Sequence, residues 1–418
     1  MTRFVAKRVR FRNGEHHSVL SRPGGLPVHE VTLYLAKYRK RGRAANTIHG
    51  VSTALALLYR ELGKAGIDLL ERFRKGEFLT VPELNRIADA AQYWVSDLSY
   101  EDADSRGSAN IIDIKRIRMR RNAAVEDATA VIAATQANRI RYIADFLNFL
   151  STYIGATLSA ALRQNLALES AHALQAFRAQ VPQVSKRAKL GAREGLSRED
   201  QDRLLKVIRL DSPDNPWERG YVRYRNLLIV VLLLATGMRR GELLGIQLED
   251  LDPRQPKLRI IRRADAGEDP RRIQPNTKTR DREVELRPNI MRAVWTYIRH
   301  HRKKIKAARK HPQLIVADDG QPLSLASIDK IFAQLRAACP GLPVRLTSHV
   351  MRHTWNERFS EEAGLMGLTD AVEEKARNEQ QGWADDSKSA STYTRRHTNR
   401  IGREISLKIQ EQLDVPEL

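Results

Sequence analysis

Cysteine is almost absent from this sequence: Cys339 is the only one in 418 residues. A single thiol excludes an internal disulfide framework and a cysteine-rich zinc site. Long apolar runs are missing as well. The longest, Leu227 to Ala235, is far below the ~20 residues needed to cross a bilayer and reads as a buried helix. The opening Met1-Thr2-Arg3-Phe4 carries no apolar leader stretch, so a soluble, cytoplasmic protein with no membrane partner is expected. Acidic residues are in deficit, 50 Asp+Glu against 72 Lys+Arg, which leaves a formal charge of +22. That excess argues for a polyanionic partner, because neutralising phosphates releases counterions and gives sequence-independent affinity. A generally basic protein, such as a ribosomal one, is the plain alternative. There is no internal repeat and no low-complexity tract, and the length allows two or three domains, each with its own core.

Residues 1–25 read as an extended pair. Phe4, Val5 and Phe11 approach the tight-turn dipeptide Asn13-Gly14, and Val19-Leu20 precede Pro23-Gly24-Gly25. From Val31 to about Asp89 the apolar period becomes helical. Leu33, Leu35 and Tyr38 form one stripe; Leu55, Leu57, Leu58 and Leu62 form another. A basic loop, Lys40-Arg41-Gly42-Arg43, separates them, Asn46-Thr47-Ile48 starts the second helix, Gly66-Ile67-Asp68 ends it, and Thr80 caps the next. A further helix is expected from about Thr135 to Leu150, with Ile140, Ile143, Phe146, Leu147 and Leu150 inward. Between these helical stretches, Ile114 to Arg121 alternates apolar and basic residues, which fits either a solvated face or a strand or loop lying on phosphates. Residues 182–195 are basic and poor in core residues and read as an interdomain linker. Ser197 then caps an amphipathic helix bearing Leu204, Leu205, Val207 and Ile208.

Two arginine motifs and a tyrosine carry the chemistry. The first is Thr236-Gly237-Met238-Arg239-Arg240-Gly241-Glu242-Leu243 and the second His349-Val350-Met351-Arg352-His353-Thr354; Gly382-Trp383 and Tyr393 follow. Gly237 permits a turn out of the helix Tyr224–Ala235, and Arg239 stands where the next helix begins. Glu242, one turn on, can orient a neighbour by hydrogen bonding. Guanidiniums clamp both non-bridging phosphate oxygens and stay charged throughout a reaction. A tyrosine hydroxyl, with a pKa of about 10, is a poor nucleophile unless it is positioned and assisted. His349 carries an imidazole, a side chain whose ordinary pKa is near neutrality, and can assist proton movement at that oxygen. Tyr393 lies in the polar, basic segment Ser389 to Arg396, where it has little hydrophobic reason to exist. Tyr93 adjoins Trp94-Val95 and reads as core, and Tyr100 leads into an acidic run.

In these boxes the chain resembles the tyrosine recombinases of the phage-integrase family, whose first box reads Thr-Gly-x-Arg-x-x-Glu-Leu and whose second reads His-x-x-Arg-His-Thr. The resemblance covers roughly residues 196–400 in chemistry, with a weaker likeness of layout before it; the Trp383-to-Tyr393 interval is ten residues. It implies a mainly α fold with a small β-sheet: a short N-terminal β-hairpin (1–25), a helical core-binding domain (26–181), the linker (182–195), a mixed α+β catalytic domain (196–400) and a C-terminal helix or tail (401–418). The catalytic set it implies is Arg239, Lys278, His349, Arg352, Trp383 and Tyr393, with Glu242 and His353 in support. Lys278, in Asn276-Thr277-Lys278-Thr279, would sit within a sheet of three strands: Leu258–Ile261, Ile273–Lys278 and Glu283–Leu286. The implied activity is site-specific recombination through a 3′-phosphotyrosyl intermediate, for integration, excision or transposition of a mobile element, without metal, ATP or other cofactor. Implied partners are double-stranded DNA, further copies in a synaptic tetramer joined through the C-terminal helix, and accessory DNA-bending or directionality proteins.

Each element has a blander reading: a surface Arg/Glu pair at Arg239 and Glu242, a solvated turn lysine at Lys278 replaceable by Arg280 or Arg282, and a core tryptophan at Trp383. His353 reads as a satisfied core histidine, and a metal site from His349 and His353 lacks a third ligand at suitable spacing. Candidate DNA contacts are Arg41, Arg43, Lys115, Arg116, Arg118, Arg120, Lys186, Arg187 and Lys189. Rival functions are a catalytically silent DNA-binding accessory protein and a type IB topoisomerase-like enzyme. A silent site has no reason to keep all six residues, and the two boxes look more like the recombinases.

Overall fold

The computed structural model describes residues 4–93, 130–183, 194–263, 266, 268–275, 279–384, 402 and 405–408. The chain divides into two compact units, Met1–Ala188 and Lys189–Leu418. The division falls inside the basic stretch 182–195, of which 184–193 lie outside the described residues.

In the first unit, strands β1 (Val5–Arg10) and β2 (His16–Ser21) pair antiparallel, Val5 opposite Ser21 and Arg10 opposite His16. Asn13 Oδ1 accepts the Glu15 amide at 3.0 Å, the side-chain-to-backbone bond that makes asparagine a turn residue. Among the described residues six helices follow: α1 (His29–Lys40), α2 (Ala45–Lys64), α3 (Leu69–Arg74), α4 (Val81–Ala90), α5 (Ala133–Gly155) and α6 (Ala160–Ala179). On α1 the buried stripe is Val31, Tyr34 and Leu35, while Leu33 points outward and Tyr38 is only partly covered. The spacing 31, 34, 35 is the one-face period of a helix, which the expected Leu33 does not satisfy. Helix α4 starts as expected: the Glu83 carboxylate accepts the Thr80 amide at 2.8 Å and pairs with Arg72 at 2.8 Å. Helix α5 outruns its expected bounds at both ends. Helix α6, unexpected from the sequence, docks through Leu166, Leu174 and Phe177. These join Leu55, Leu58, Phe146 and Leu147 in one apolar core, where each fully buried side chain is worth about 1.5–3 kcal/mol over leaving it exposed.

The second unit opens with α7 (Arg198–Val207), whose cap Ser197 accepts the Asp200 amide at 3.0 Å. Helix α8 (Gly220–Thr236) is apolar nearly all round and runs through the core, burying Leu228, Ile229, Val230, Leu232 and Leu233. After the short α9 (Arg240–Gly245), strands β3 (Lys257–Ile260) and β4 (Arg282–Glu285) pair antiparallel, Ile260 opposite Arg282. The expected three-stranded sheet is corrected to two strands among the described residues. Residues 273–275 are not extended in a ladder, 276–278 lie outside the description, and Ile273 is half-exposed. Pro275 lacks the N–H that a middle strand must donate. Helix α10 (Pro288–Thr296) runs into a π-helical turn, Tyr297–His301; then come α11 (Leu325–Ala338), α12 (Ser348–Leu365) and α13 (Asp370–Gln381). Helix α12 lies along α8. Among the described residues no helix is long and apolar enough to cross a membrane.

Candidate active site

The site is assembled on the C-terminal end of α8. A helix leaves its last carbonyls without intrahelical partners, and here three side chains from α12 and α13 take them. Trp355 Nε1 donates to the Ala235 carbonyl at 3.1 Å, Gln381 Nε2 to Thr236 at 3.2 Å, and Arg352 Nη1 to Gly237 at 2.7 Å. Gly237 has φ +61°, and a Cβ there would lie 2.8 Å from the Trp355 ring. Glycine is thus required twice over, for the left-handed exit from the helix and for the close approach of the ring. The 115-residue separation between Gly237 and Arg352 is closed by this one bond, which ties the two boxes together.

Glu242 is the centre of the first box. Its side chain is fully enclosed, and both carboxylate oxygens are occupied. One accepts the Arg239 backbone amide at 3.0 Å and Arg282 Nη2 at 2.7 Å; the other accepts Arg239 Nη1 at 3.1 Å and Thr279 Oγ1 at 2.8 Å. Burial pushes this carboxyl up, but Arg282, Arg352 and Arg239 outweigh it and hold the group below its ordinary range. Glu242 is therefore an ionised anchor among three guanidiniums. Arg239 and Arg282 differ in access: the Arg239 side chain keeps 31% of its surface and that of Arg282 only 3%.

Thr347 caps α12 by accepting the Val350 amide. The helix then places His349 half-buried and Arg352 fully buried. Arg352 lies against the Trp383 ring, 5.1 Å from its centroid. His353 is buried and meets His349 edge-to-face at 4.8 Å; among the described residues no third ligand-type side chain joins them. Trp383 is brought in by the end of α13. Gly382, at φ +61°, turns the chain, and the Trp383 amide closes on the Asn378 carbonyl at 2.8 Å. A Cβ on Gly382 would lie 2.7 Å from the Arg280 carbonyl and 3.1 Å from the Arg282 guanidinium, while the Arg280 amide donates to the Gly382 carbonyl at 2.9 Å. The start of β4 is thereby seated on both Glu242 and Gly382. Helix α13 is fixed to α12 by buried Arg377, which donates to the Asn356 carbonyl and Ser360 Oγ, each at 2.7 Å, and pairs with Glu373.

Of the residues expected from the sequence, Arg239, Glu242, Arg352 and Trp383 come together around the end of α8; His349 is one helical turn from Arg352, and His353 is buried against His349. Lys278 and Tyr393 lie outside the described residues, as do Lys115, Arg116, Arg118, Arg120, Lys186, Arg187 and Lys189. Arg41 and Arg43 are exposed in the turn between α1 and α2 of the first unit. Of the expected C-terminal helix, 402 and 405–408 are described, and they are helical and exposed. Sequence reasoning missed the parts played by Arg282, Thr279 and Trp355. The sequence offers Arg282 only as a stand-in for a turn lysine; its alternation on β4 with Val284, which is buried, is the signal of an inward side chain.

The profile of the phage integrase family matches residues 198–400, a span that includes both boxes, Gly382-Trp383 and Tyr393. This part of the chain belongs to the phage integrase family. The tyrosine recombinase XerD of Halalkalibacterium halodurans is 26% identical over 157 residues, 37% of this chain and 48% of that protein. The chain thus spans about half the length of that curated relative. Among solved structures, a lambda integrase dimer bound to a COC′ core site aligns with 87% of this chain and 76% of its own at 14% identity and TM-score 0.46. XerH recombinase bound to palindromic difH substrate aligns with 78% of this chain and 84% of its own at 17% identity and TM-score 0.41. Like the family profile, the geometry described above is confined to the second unit.

Proposed function

We propose that this protein is a site-specific DNA recombinase that breaks and rejoins strands through a 3′-phosphotyrosyl intermediate. The observation that carries the proposal is the joining of two boxes far apart in sequence: Arg352 Nη1 donates to the Gly237 carbonyl at 2.7 Å, at the turn that leads into Arg239 and its anchor Glu242. Membership of residues 198–400 in the phage integrase family supports the same reading. Tyr393 Oη attacks the scissile phosphorus and its proton passes toward His349. The bond from phosphorus to the 5′ oxygen breaks, and that oxygen takes a proton from Lys278 and leaves as a hydroxyl. Arg239 and Arg352 hold the negative charge on the non-bridging oxygens, with the Trp383 indole N–H beside them. A charge-stabilising donor of this kind contributes about 10²–10³ in rate. Because Arg352 is enclosed, a phosphate reaches it only when the side chains over it part.

The phosphotyrosyl link keeps the energy of the broken bond, so a 5′ hydroxyl from a partner strand religates without ATP. The cations come from side chains, so no metal is needed. Exchange between two duplexes takes four such sites, hence a tetramer on DNA with the C-terminal helix as its joint, and accessory proteins would set direction. Basic surfaces, including Arg41 and Arg43, supply the sequence-independent affinity.

The test is incubation, without metal, with a nicked suicide duplex carrying the element's end sequence, followed by denaturing electrophoresis. A covalent protein–DNA adduct that is lost in Tyr393→Phe and kept in Tyr100→Phe is expected. Tight, salt-sensitive binding with no adduct on any end sequence would instead favour a silent DNA-binding accessory protein.

A further inference from the structure

We infer that Arg282 is a positioning residue whose work is electrostatic: it is the resident counter-ion of Glu242 and so leaves the charge of Arg239 available to the scissile phosphate. The inference rests on the strand-transfer reading given above. An ionised carboxylate beside a phosphate site is a liability, because it competes with the phosphate for the same guanidinium. Glu242 cannot be discarded, since it fixes Arg239 at both its backbone amide, 3.0 Å, and its Nη1, 3.1 Å. Its charge must be met by a cation that the substrate does not use.

Arg282 fits that part by burial and by geometry. Its side chain keeps 3% of its surface against 31% for Arg239, and its Nη2 and Nη1 are already held inside the protein by Glu242 and Thr279. It makes the shortest of the ion pairs on Glu242, 2.7 Å, and a further bond of 3.2 Å to Thr279 Oγ1, which itself donates to Glu242 at 2.8 Å. The absence of a Cβ on Gly382 leaves room for the guanidinium, since such an atom would stand 3.1 Å from Arg282 Nη1. Only arginine offers a charge that cannot be lost and a fork that spans Glu242 and Thr279 together. Without it, Arg239 becomes the nearest remaining partner of Glu242, and the positive charge left for the phosphate falls.

The experiment compares the full-length wild type, Arg282→Gln, Arg282→Lys, Glu242→Gln and the double variant Arg282→Gln/Glu242→Gln. Single-turnover rates of covalent adduct formation are measured on the suicide duplex, beside thermal midpoints. A second duplex carries an uncharged methylphosphonate at the scissile position. Arg282→Gln should slow adduct formation on the phosphodiester by about 100-fold, the loss of one charge-stabilising donor. Arg282→Lys should recover part of that rate, and removing the anion in the double variant should recover at least tenfold over Arg282→Gln. On the methylphosphonate the deficit of Arg282→Gln should shrink to a few-fold, because the charge that Arg239 is kept for is no longer there.

A purely structural role gives the opposite pattern: an equal deficit on both substrates, a double variant no faster than Arg282→Gln, and rates that follow the thermal midpoints. That pattern overturns the inference. Should Arg282→Gln fail to fold, the Arg282→Lys deficit on the two substrates makes the same comparison. Absence of adduct with wild type on every duplex sinks the strand-transfer reading instead, and so is distinguishable from failure of the role given to Arg282.

Discussion

Replacing Gly237 by alanine tests the packing on which the site is built, and Gly367 provides the control. Both glycines are in the second unit with left-handed backbones, φ +61° and +66°. A Cβ at Gly367 meets nothing within 4 Å, whereas at Gly237 it lies 2.8 Å from Cγ and Cδ2 of Trp355 and 2.9 Å from Cε3. Each substitution carries the left-handed penalty of about 1 kcal/mol. Gly237→Ala adds overpacking of about 1–3 kcal/mol. The ring has little freedom to retreat, being bonded to the Ala235 carbonyl at 3.1 Å and packed on Phe359 at 5.0 Å. The expected losses are therefore about 1 kcal/mol for Gly367→Ala and about 2–4 kcal/mol for Gly237→Ala. Urea unfolding of the full chain, followed by tryptophan fluorescence, reads the right unit, because Trp217, Trp295, Trp355 and Trp383 lie in it and Trp94 does not. Adduct formation should fall more in Gly237→Ala than stability alone explains, since the displaced peptide carries the carbonyl that holds Arg352 at 2.7 Å. Equal losses for the two variants would refute the steric argument. A stability loss with an unchanged adduct rate would refute the link to Arg352.

Three further outcomes are expected. Glu242→Gln should lower stability at pH 7 by about 3 kcal/mol, because it leaves Arg282 buried without its anion. The folded-state pKa of Glu242 lies below its ordinary 4.5, so its contribution is present above that value and lost as pH falls through the depressed one; the gap between wild type and variant in urea titrations should close in acid and not in base. Arg377→Ala should cost about 3 kcal/mol by the same measurement and lower adduct formation, since it loosens α13, which carries Trp383, while Glu373 keeps enough exposure to hydrate. Changing Arg41 and Arg43 together to alanine should reduce the slope of log K against log salt in duplex binding by up to about 2 without altering sequence preference; an unchanged slope removes them from the DNA-contacting surface.

What was legible in the sequence and what was not divide along the range of the interactions. Asn13-Gly14, the Thr80 cap and the Ser197 cap are settled by bonds spanning two or three residues, so their residue types announce them. The boxes were legible too, because chemistry demands particular side chains at fixed spacing. On α1 leucine content favours Leu33, whereas the helical period turns Tyr34 inward and leaves Leu33 exposed. The region between β3 and β4 misled through composition. Residues 269–271 hold a buried ion pair, Asp269 with Arg271 at 2.7 Å, and the arginine caps the carbonyls of Leu244 and Leu323 at 3.0 Å. Nothing local marks an arginine as buried when its acceptors come from elements far along the chain.

Arg282 is the clearest case of that limit, and its consequence is physical. Its partner Glu242 is 40 residues away and no local pattern pairs them. A box built to bind phosphate nevertheless carries a carboxylate, Glu242, three residues from its arginine. A lone carboxylate there would cancel the arginine it orients. A buried third party of positive charge is therefore required by the first box itself, and the structure shows Arg282 occupying that place. The net charge around Glu242, counting Arg239, Arg282 and Arg352 against one carboxylate, then leaves two positive charges for a phosphate whose attack adds a second negative one.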